Sequence, residues 1–296
     1  MGSADICRAF GAEAPEMCKR EKNLSVSGYL TEVPRINVLG VGISVINIPA
    51  ALRIIESWIA SRKRQYVCVV PVSSVAIALQ DRSFKAILNN SGLNTPDGMP
   101  MVWLGKLHRF SEIERVYGPD LMLALCELSA RKGYRNFFYG GAPGVPEKLA
   151  ANMRERFPGL NVAGTFSPPF RPLTPAEDEQ MVNMINEYHA DVLWVGIGSP
   201  AQERWMATHL GRVEAPVMLG VGAAFDFHAG RIKQAPYWIQ RSGTEWLYRL
   251  MKEPRRLVRR YFTTNPLFLI HIFLQLTGLR TYPIKPRTSP PQADRE

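Results

Sequence analysis

Asp191-Val-Leu-Trp-Val-Gly-Ile-Gly-Ser-Pro200 and Val217-Met-Leu-Gly-Val-Gly-Ala-Ala-Phe-Asp226 decide how this chain is read. Val192–Val195 and Val217–Val221 are continuous apolar runs, as expected of strands buried on both faces. Each ends in a glycine-rich turn. The first, at Gly196 and Gly198, leads into a helix opening with Gln202, Glu203 and Arg204. The second, at Gly220 and Gly222, runs into Asp226. Open α/β sheets bind nucleotides beyond the carboxyl ends of adjacent buried strands, where polar groups gather. The two stretches therefore point to an enzyme that handles nucleotides.

The same alternation extends to both sides. Short strands are expected at Ile36–Val41 and Ile43–Ile46, turning at Gly42, with a helix over Pro49–Arg62. Tyr66–Val72 reads as a buried strand, Val75–Leu88 as one helix and Asn94–Pro100 as a loop. Leu121–Lys132 is a helix stopped by Gly133. Asn136–Tyr139 and Asn161–Thr165 are strands flanking a helix over Glu147–Phe157. Thr174 and Glu177 have capping-box spacing at the head of a helix reaching His189. Strands alternating with helices give an α/β fold: a Rossmann-like, mostly parallel sheet with helices on both faces.

From Gly243 the character changes. Glu245–Phe262 carries Trp246, Leu247, Leu250 and Phe262 on one side and Arg249, Arg256 and Arg259 on the other, with Pro254 interrupting it. An apolar segment, Pro266–Leu279, follows. The expected organisation is a disordered leader (1–34), a Rossmann-like body (35–243), a basic amphipathic appendage for membrane docking (244–280) and a disordered tail (281–296).

The 296 residues carry a net charge of +10, which favours an anionic partner. No nucleic-acid-binding motif is present, so phosphate groups or an acidic membrane surface are the expected partners. Cys7, Cys18, Cys68 and Cys126 form neither a CxxC pair nor a zinc spacing, which fits a reducing cytosol. Residues 1–34 lack the apolar core of a signal peptide, and no stretch reaches the roughly 18 apolar residues of a spanning helix.

Several groups are candidates for chemistry. Asp97 lies in Asn94-Thr-Pro-Asp-Gly-Met-Pro100, where Pro96 and Gly98 fix a turn around one carboxylate. Such an acid either bonds its own turn or serves as a general base. Gly196-Ile-Gly-Ser-Pro-Ala201 matches the dinucleotide pattern GxGxxA, but the ribose-binding acid expected about 20 residues on is missing. Anion binding at the helix N-terminus needs no dinucleotide. Asp226-Phe-His228 reads as a metal pair or as an Asp that satisfies loop amides. The chain contains no DxD, so a divalent-metal diphosphate clamp is not expected. Arg249, Arg256 and Arg259 share one helical face, suited to phosphate oxygens or an anionic lipid surface.

Taken in order, Thr95-Pro-Asp-Gly-Met-Pro100, Arg115-Val-Tyr-Gly-Pro-Asp-Leu121, Phe138-Tyr-Gly-Gly141, Val195-Gly-Ile-Gly-Ser-Pro-Ala-Gln-Glu203, Val221-Gly-Ala-Ala-Phe-Asp226 and Glu245-Trp-Leu-Tyr-Arg249 resemble the motifs of the WecG/TagA/CpsF family of bacterial glycosyltransferases. The resemblance spans roughly Arg35 to Phe268. It implies transfer of a sugar from a UDP-sugar to a polyprenyl-diphosphate-linked acceptor, with inversion, no metal and no cofactor, at the inner face of the cell membrane. N-acetylmannosamine, its uronic acid and glucose are the donor sugars it implies. Asp97 then matches the proposed base and Arg115 an active-site arginine. Ser73, Gly140, Gln202, Gly222 and Asp226 fall at substrate-binding positions, and Arg249, Arg256 and Arg259 match arginines that close over the diphosphate. Pro71-Val-Ser-Ser74 replaces the family's Thr-x-Asn, and Pro200-Ala-Gln-Glu203 its Pro-Lys-Gln-Glu. A homo-oligomer is compatible with this reading. Its rivals are an NAD(P)-dependent oxidoreductase built on the Gly196 turn and a non-catalytic nucleotide-sugar-binding protein at the membrane.

Overall fold

The computed structural model describes residues 33–252 and 254–284. The expected leader falls almost wholly outside them, as do Cys7 and Cys18. β1 (Arg35–Val38) and β2 (Val41–Ser44) form an antiparallel hairpin with Val38 opposite Val41. Its turn is Leu39-Gly40, not Gly42: both residues have positive φ, 56° and 84°, as a two-residue hairpin turn requires. Gly42 lies inside β2, where its N–H donates to Asn89 Oδ1 at 2.9 Å.

α1 (Ile48–Ala60) is capped by the Asn47 side chain and precedes β3 (Gln65–Val70). The single helix expected over Val75–Leu88 is two, α2 (Val72–Gln80) and α3 (Arg82–Asn90). Asp81 breaks them apart in an extended conformation, and its carboxylate caps α3 by accepting from Phe84 N at 2.9 Å. The expected loop at Asn94–Pro100 is also structured, as β4 (Leu93–Pro96), a turn at Asp97-Gly98, and α4 (Met99–Leu107). Asn94 and Thr95 tolerate full burial because they are satisfied. Asn94 Nδ2 donates to Gly42 O and Leu88 O, and Thr95 Oγ1 to Val116 O.

α5 (Gly118–Lys132) stops at Gly133 in the left-handed conformation. β5 (Arg135–Gly140), α6 (Val145–Arg156) and β6 (Asn161–Phe166) follow. α7 (Pro175–Glu187) starts with the expected Thr174–Glu177 capping box. Then come β7 (Val192–Gly196), α8 (Ala201–His209), β8 (Val217–Gly220) and α9 (Ala224–His228), the last placing Asp226 on a helix rather than in a loop.

β3 to β8 form one parallel sheet in the order β4-β3-β8-β7-β5-β6. The fold is α/β, with helices packed around the sheet. The step from β3 to β4 runs to one edge and that from β5 to β6 to the other, with β8 and β7 between. Such a reversal of winding opens a crevice at the carboxyl ends of the strands. Cys68 and Cys126 are buried in this core, and burial pushes both thiols up.

The C-terminal part comprises α10 (Tyr237–Ser242), α11 (Glu245–Lys252) and α12 (Pro254–Leu276). The sequence divides a basic helix from a separate apolar segment at Pro266; instead α12 starts at Pro254, a good first helical residue, and runs on through Pro266. Its later turns rest on the body, with Phe268 and Ile272 buried in the core. Gln275 clasps the hairpin turn, accepting from Leu39 N and donating to Asn37 O, both at 2.8 Å. Packing continues past residue 280: Tyr282 is buried and its carbonyl accepts from Asn37 Nδ2 at 2.7 Å. Among the described residues no helix is long and apolar enough to cross a membrane.

Candidate active site

The carboxyl ends of β3, β5, β7 and β8 open into a cleft of about 1230 Å³, lined by Val69, Tyr139, Gly196 and Val221. Asp97, in the turn after β4, lines the same cleft, as do Gln202, Gly222 and Asp226. The loop acid and the two glycine-rich turns thus share one cavity.

Glycines set how closely its walls approach. A Cβ on Gly140 would stand 2.5 Å from the Gly196 backbone, and one on Gly196 would stand 2.5 Å from the Phe225 ring. Gly140 therefore packs β5 against β7 behind the cleft surface, and its neighbour Gly141 does the lining. Gly222 has φ 51°, and its Cα faces Gln202 closely enough that a Cβ would lie 3.4 Å from Gln202 Oε1. Gln202, in the first turn of α8, is 3% exposed. Its Nε2 donates to Glu203 Oε1 at 3.1 Å, while its Oε1 has no hydrogen-bond partner among the described residues. An unpartnered buried acceptor on a cleft wall is a place for a ligand donor.

An aromatic wall, which sequence reasoning missed, stands beside it. Tyr139 and Trp205 both line the cleft and stack at 4.7 Å between centroids; Trp205 stacks in turn on His209 at 4.1 Å. Trp205 Nε1 is buried without a partner among the described residues. The available signals were an aromatic at the end of a buried strand, and Trp205 and His209 four apart on one helix. Burial pushes the Tyr139 hydroxyl up. Below the stack, Asp178 accepts from His209 Nε2 at 2.9 Å and Arg212 Nη1 at 2.7 Å. Burial raises the Asp178 carboxyl, but the hydrogen bonds from Arg212 and His209 outweigh it and leave the group below its ordinary value.

Arg115 sits at the back of the Asp97 turn. Its Nε donates to Asp97 O at 2.6 Å and its Nη2 to Glu245 Oε2 at 2.5 Å. The guanidinium lies 4.1 Å from the centre of the Tyr117 ring, and Tyr117 OH donates to Glu245 Oε1 at 3.0 Å. In the sequence Glu245 is only the head of a basic helix, and no local pattern marks it as a partner of Arg115.

Asp226 pairs with Arg231 at 3.5 Å, and both line the cleft. Ser73 is buried on α2 and is not among the lining residues; its neighbour Ser74 reaches Ser199 of the Gly196 turn, Oγ to Oγ 3.3 Å. Arg249 lies on α11, and Arg256 and Arg259 on α12, but their side chains fall outside the described part of the structure. Among the described residues no three His, Cys, Asp or Glu side chains are grouped to hold a metal ion.

Comparison with known proteins supplies the family. The chain is 27% identical over 210 residues to an N-acetylglucosaminyldiphosphoundecaprenol N-acetyl-beta-D-mannosaminyltransferase of Bacillus subtilis (strain 168), covering 71% of this chain and 79% of that enzyme. It is 30% identical over 179 residues to the enzyme of that name from Bacillus spizizenii, covering 60% and 68% of the two chains. To that of Staphylococcus aureus (strain MW2) it is 25% identical over 242 residues, covering 80% and 92%. The profile described as "Glycosyl transferase WecG/TagA/CpsF family" matches residues 36–282, and the chain belongs to that family of glycosyltransferases.

Proposed function

We propose that the protein is an inverting transferase that moves a sugar from a UDP-sugar to a polyprenyl-diphosphate-linked acceptor. The relatives' names give N-acetylmannosamine as the sugar and N-acetylglucosaminyldiphosphoundecaprenol as the acceptor, so this pair is the first choice here. N-acetylmannosaminuronic acid and glucose are the other donor sugars to try. The observation that carries the reading is a half-buried carboxylate, Asp97, lining one cleft with Gln202 and Gly222.

In this mechanism Asp97 takes the proton of the acceptor hydroxyl. That oxygen attacks the anomeric carbon from the face opposite UDP, and UDP leaves with the electron pair of the broken glycosidic bond. The aromatic pair Tyr139–Trp205 offers a stacking surface for a base or sugar ring. α8 enters the cleft wall with no side-chain cap, and such an N-terminus favours diphosphate. Arg249, Arg256 and Arg259 supply positive charge to the leaving group, so the reaction proceeds without metal. Peripheral docking on the inner membrane face, where a lipid-linked acceptor would lie, is part of this reading, and the exposed apolar side chains of α12 support it.

Asp97→Asn tests the role of the base. Loss of a general base costs roughly 10²- to 10⁴-fold in turnover. The expected result is a fall in kcat within that range with UDP affinity retained. Wild-type turnover in the variant would remove Asp97 from the chemistry.

A further inference from the structure

Glu245 opens α11, yet its carboxylate meets two residues 130 and 128 positions earlier in the chain. Oε2 accepts from Arg115 Nη2 at 2.5 Å and Oε1 from Tyr117 OH at 3.0 Å. Both members of the ion pair keep only 15% of their side-chain exposure. At that depth a guanidinium and a carboxylate have lost much of their water, and their geometry is kept by directed hydrogen bonds rather than by charge alone. Removing Glu245 takes from the guanidinium its hydrogen-bonded carboxylate.

The pair leads directly to the catalytic turn. The same guanidinium donates through Nε to the main-chain oxygen of Asp97 at 2.6 Å. Its plane is set from two sides, by the Glu245 carboxylate and by the Tyr117 ring at 4.1 Å. The flanking backbone is fixed separately, since Val116 N donates to Pro96 O at 2.9 Å and Thr95 Oγ1 to Val116 O at 3.1 Å. Those bonds secure the strand end at Pro96. The bond from Arg115 acts one residue further on, at Asp97 itself. A competing carboxyl is close by: Asp120, raised by burial, feels both Arg115 and Glu245. Without Glu245, the guanidinium has another carboxyl within electrostatic reach.

We infer that Glu245 is a positioning residue: through Arg115 and Tyr117 it holds the Asp97 turn at the cleft and ties it to the first of the basic C-terminal helices. The inference rests on the reading of Asp97 as the base. Among the described residues no hydrogen bond or ion pair joins Glu245 to Gln202, Gly222, Tyr139 or Trp205, so it bears on the acid and not on the donor-binding wall.

The test uses the full-length protein with UDP-N-acetylmannosamine and a polyprenyl-diphosphate-linked N-acetylglucosamine, and compares Glu245→Gln, Tyr117→Phe and their double variant. The amide keeps the shape of the carboxylate but turns one of its two acceptors into a donor. Misplacing a reacting group by about 1 Å costs on the order of 100-fold. Glu245→Gln is therefore expected to lower kcat by about 10- to 100-fold while the donor KM stays within about twofold. Tyr117→Phe should lower kcat less, and the double variant should be no worse than Glu245→Gln, because both act through one guanidinium. Wild-type kcat in Glu245→Gln, or additive losses in the double variant, overturns the inference. If Glu245→Gln does not fold, Tyr117→Phe decides: reduced kcat at unchanged KM supports it, and wild-type kcat overturns it. Asp97→Asn, assayed alongside, separates the two layers. Wild-type turnover there removes the base, whereas an inactive Asp97→Asn beside a fully active Glu245→Gln removes only the positioning role.

Discussion

Asp97 stands at the cleft because Pro96 ends a buried strand and Gly98 starts the step into a helix, so the side chain between them is delivered to the strand's carboxyl end. Other side chains tune the rim. Arg171 lines the cleft and gives both of its terminal nitrogens to Glu177, at 2.7 and 2.6 Å. The hydrogen bonds from Arg171, then that from Thr174 N, hold the Glu177 carboxyl down to about 2. Its unfolded value is about 4.3. A carboxyl with a depressed folded-state pKa adds stability that is fully present above the unfolded value and is lost as pH falls toward the folded one. The cleft rim should therefore loosen between about pH 4.3 and pH 2. A carbon-13 titration of the Glu177 carboxyl checks this. Arg171→Ala is expected to move its midpoint up toward the unfolded value, and a midpoint that stays near 2 would show that Arg171 is not the cause.

Among the elements, the contact of β5 with β7 matters most to the cleft, since both strands end on it. Gly140 has φ 132°, and its missing Cβ leaves room for the Gly196 backbone. Gly140→Ala forces main chain apart, and overpacking of this kind costs about 1–3 kcal/mol, with strain from the positive φ added. Denaturant unfolding is expected to show that loss together with weakened UDP binding. A variant as stable as the parent would mean the strands separate freely. The buried strands were legible in the sequence because burial on both faces demands unbroken apolar runs, and the glycine-rich turns mark where they end. Thr174 and Glu177 announced their helix for the same local reason. Other features left no local trace. Asp81 divides an apolar pattern that runs straight through it. Asn94 and Thr95 look like loop residues until Gly42, Leu88 and Val116 arrive from elsewhere to satisfy them. Asp97 was legible as a turn acid beside a strand, but Glu245 was not legible as its support, since the link passes through a side chain 130 residues away.

At the scale of the molecule, α12 joins two tasks. Phe268 and Ile272 enter the core and Gln275 holds the hairpin, while Leu269 and Phe273 keep 63% and 62% of their surface exposed. One side of the helix is therefore built into the body and the other is left for a surface. A net charge of +10 favours an anionic one. Burying a Leu or Phe side chain contributes about 1.5–3 kcal/mol, so Leu269→Glu and Phe273→Glu should each weaken binding to phosphatidylglycerol vesicles about tenfold or more. Thermal stability should be unchanged, because neither side chain is in the core. Undiminished vesicle binding in the double variant would assign the surface another purpose. The proposed reaction joins, within the cleft, a sugar from UDP to a lipid-linked acceptor with inversion. It is tested most directly by incubating the wild-type protein with UDP-α-N-acetylmannosamine and a polyprenyl-diphosphate-linked N-acetylglucosamine and reading the new anomeric centre by NMR. A β-linked disaccharide with equimolar UDP is expected; an α linkage, or no transfer from this donor, its uronic acid or UDP-glucose, would contradict it.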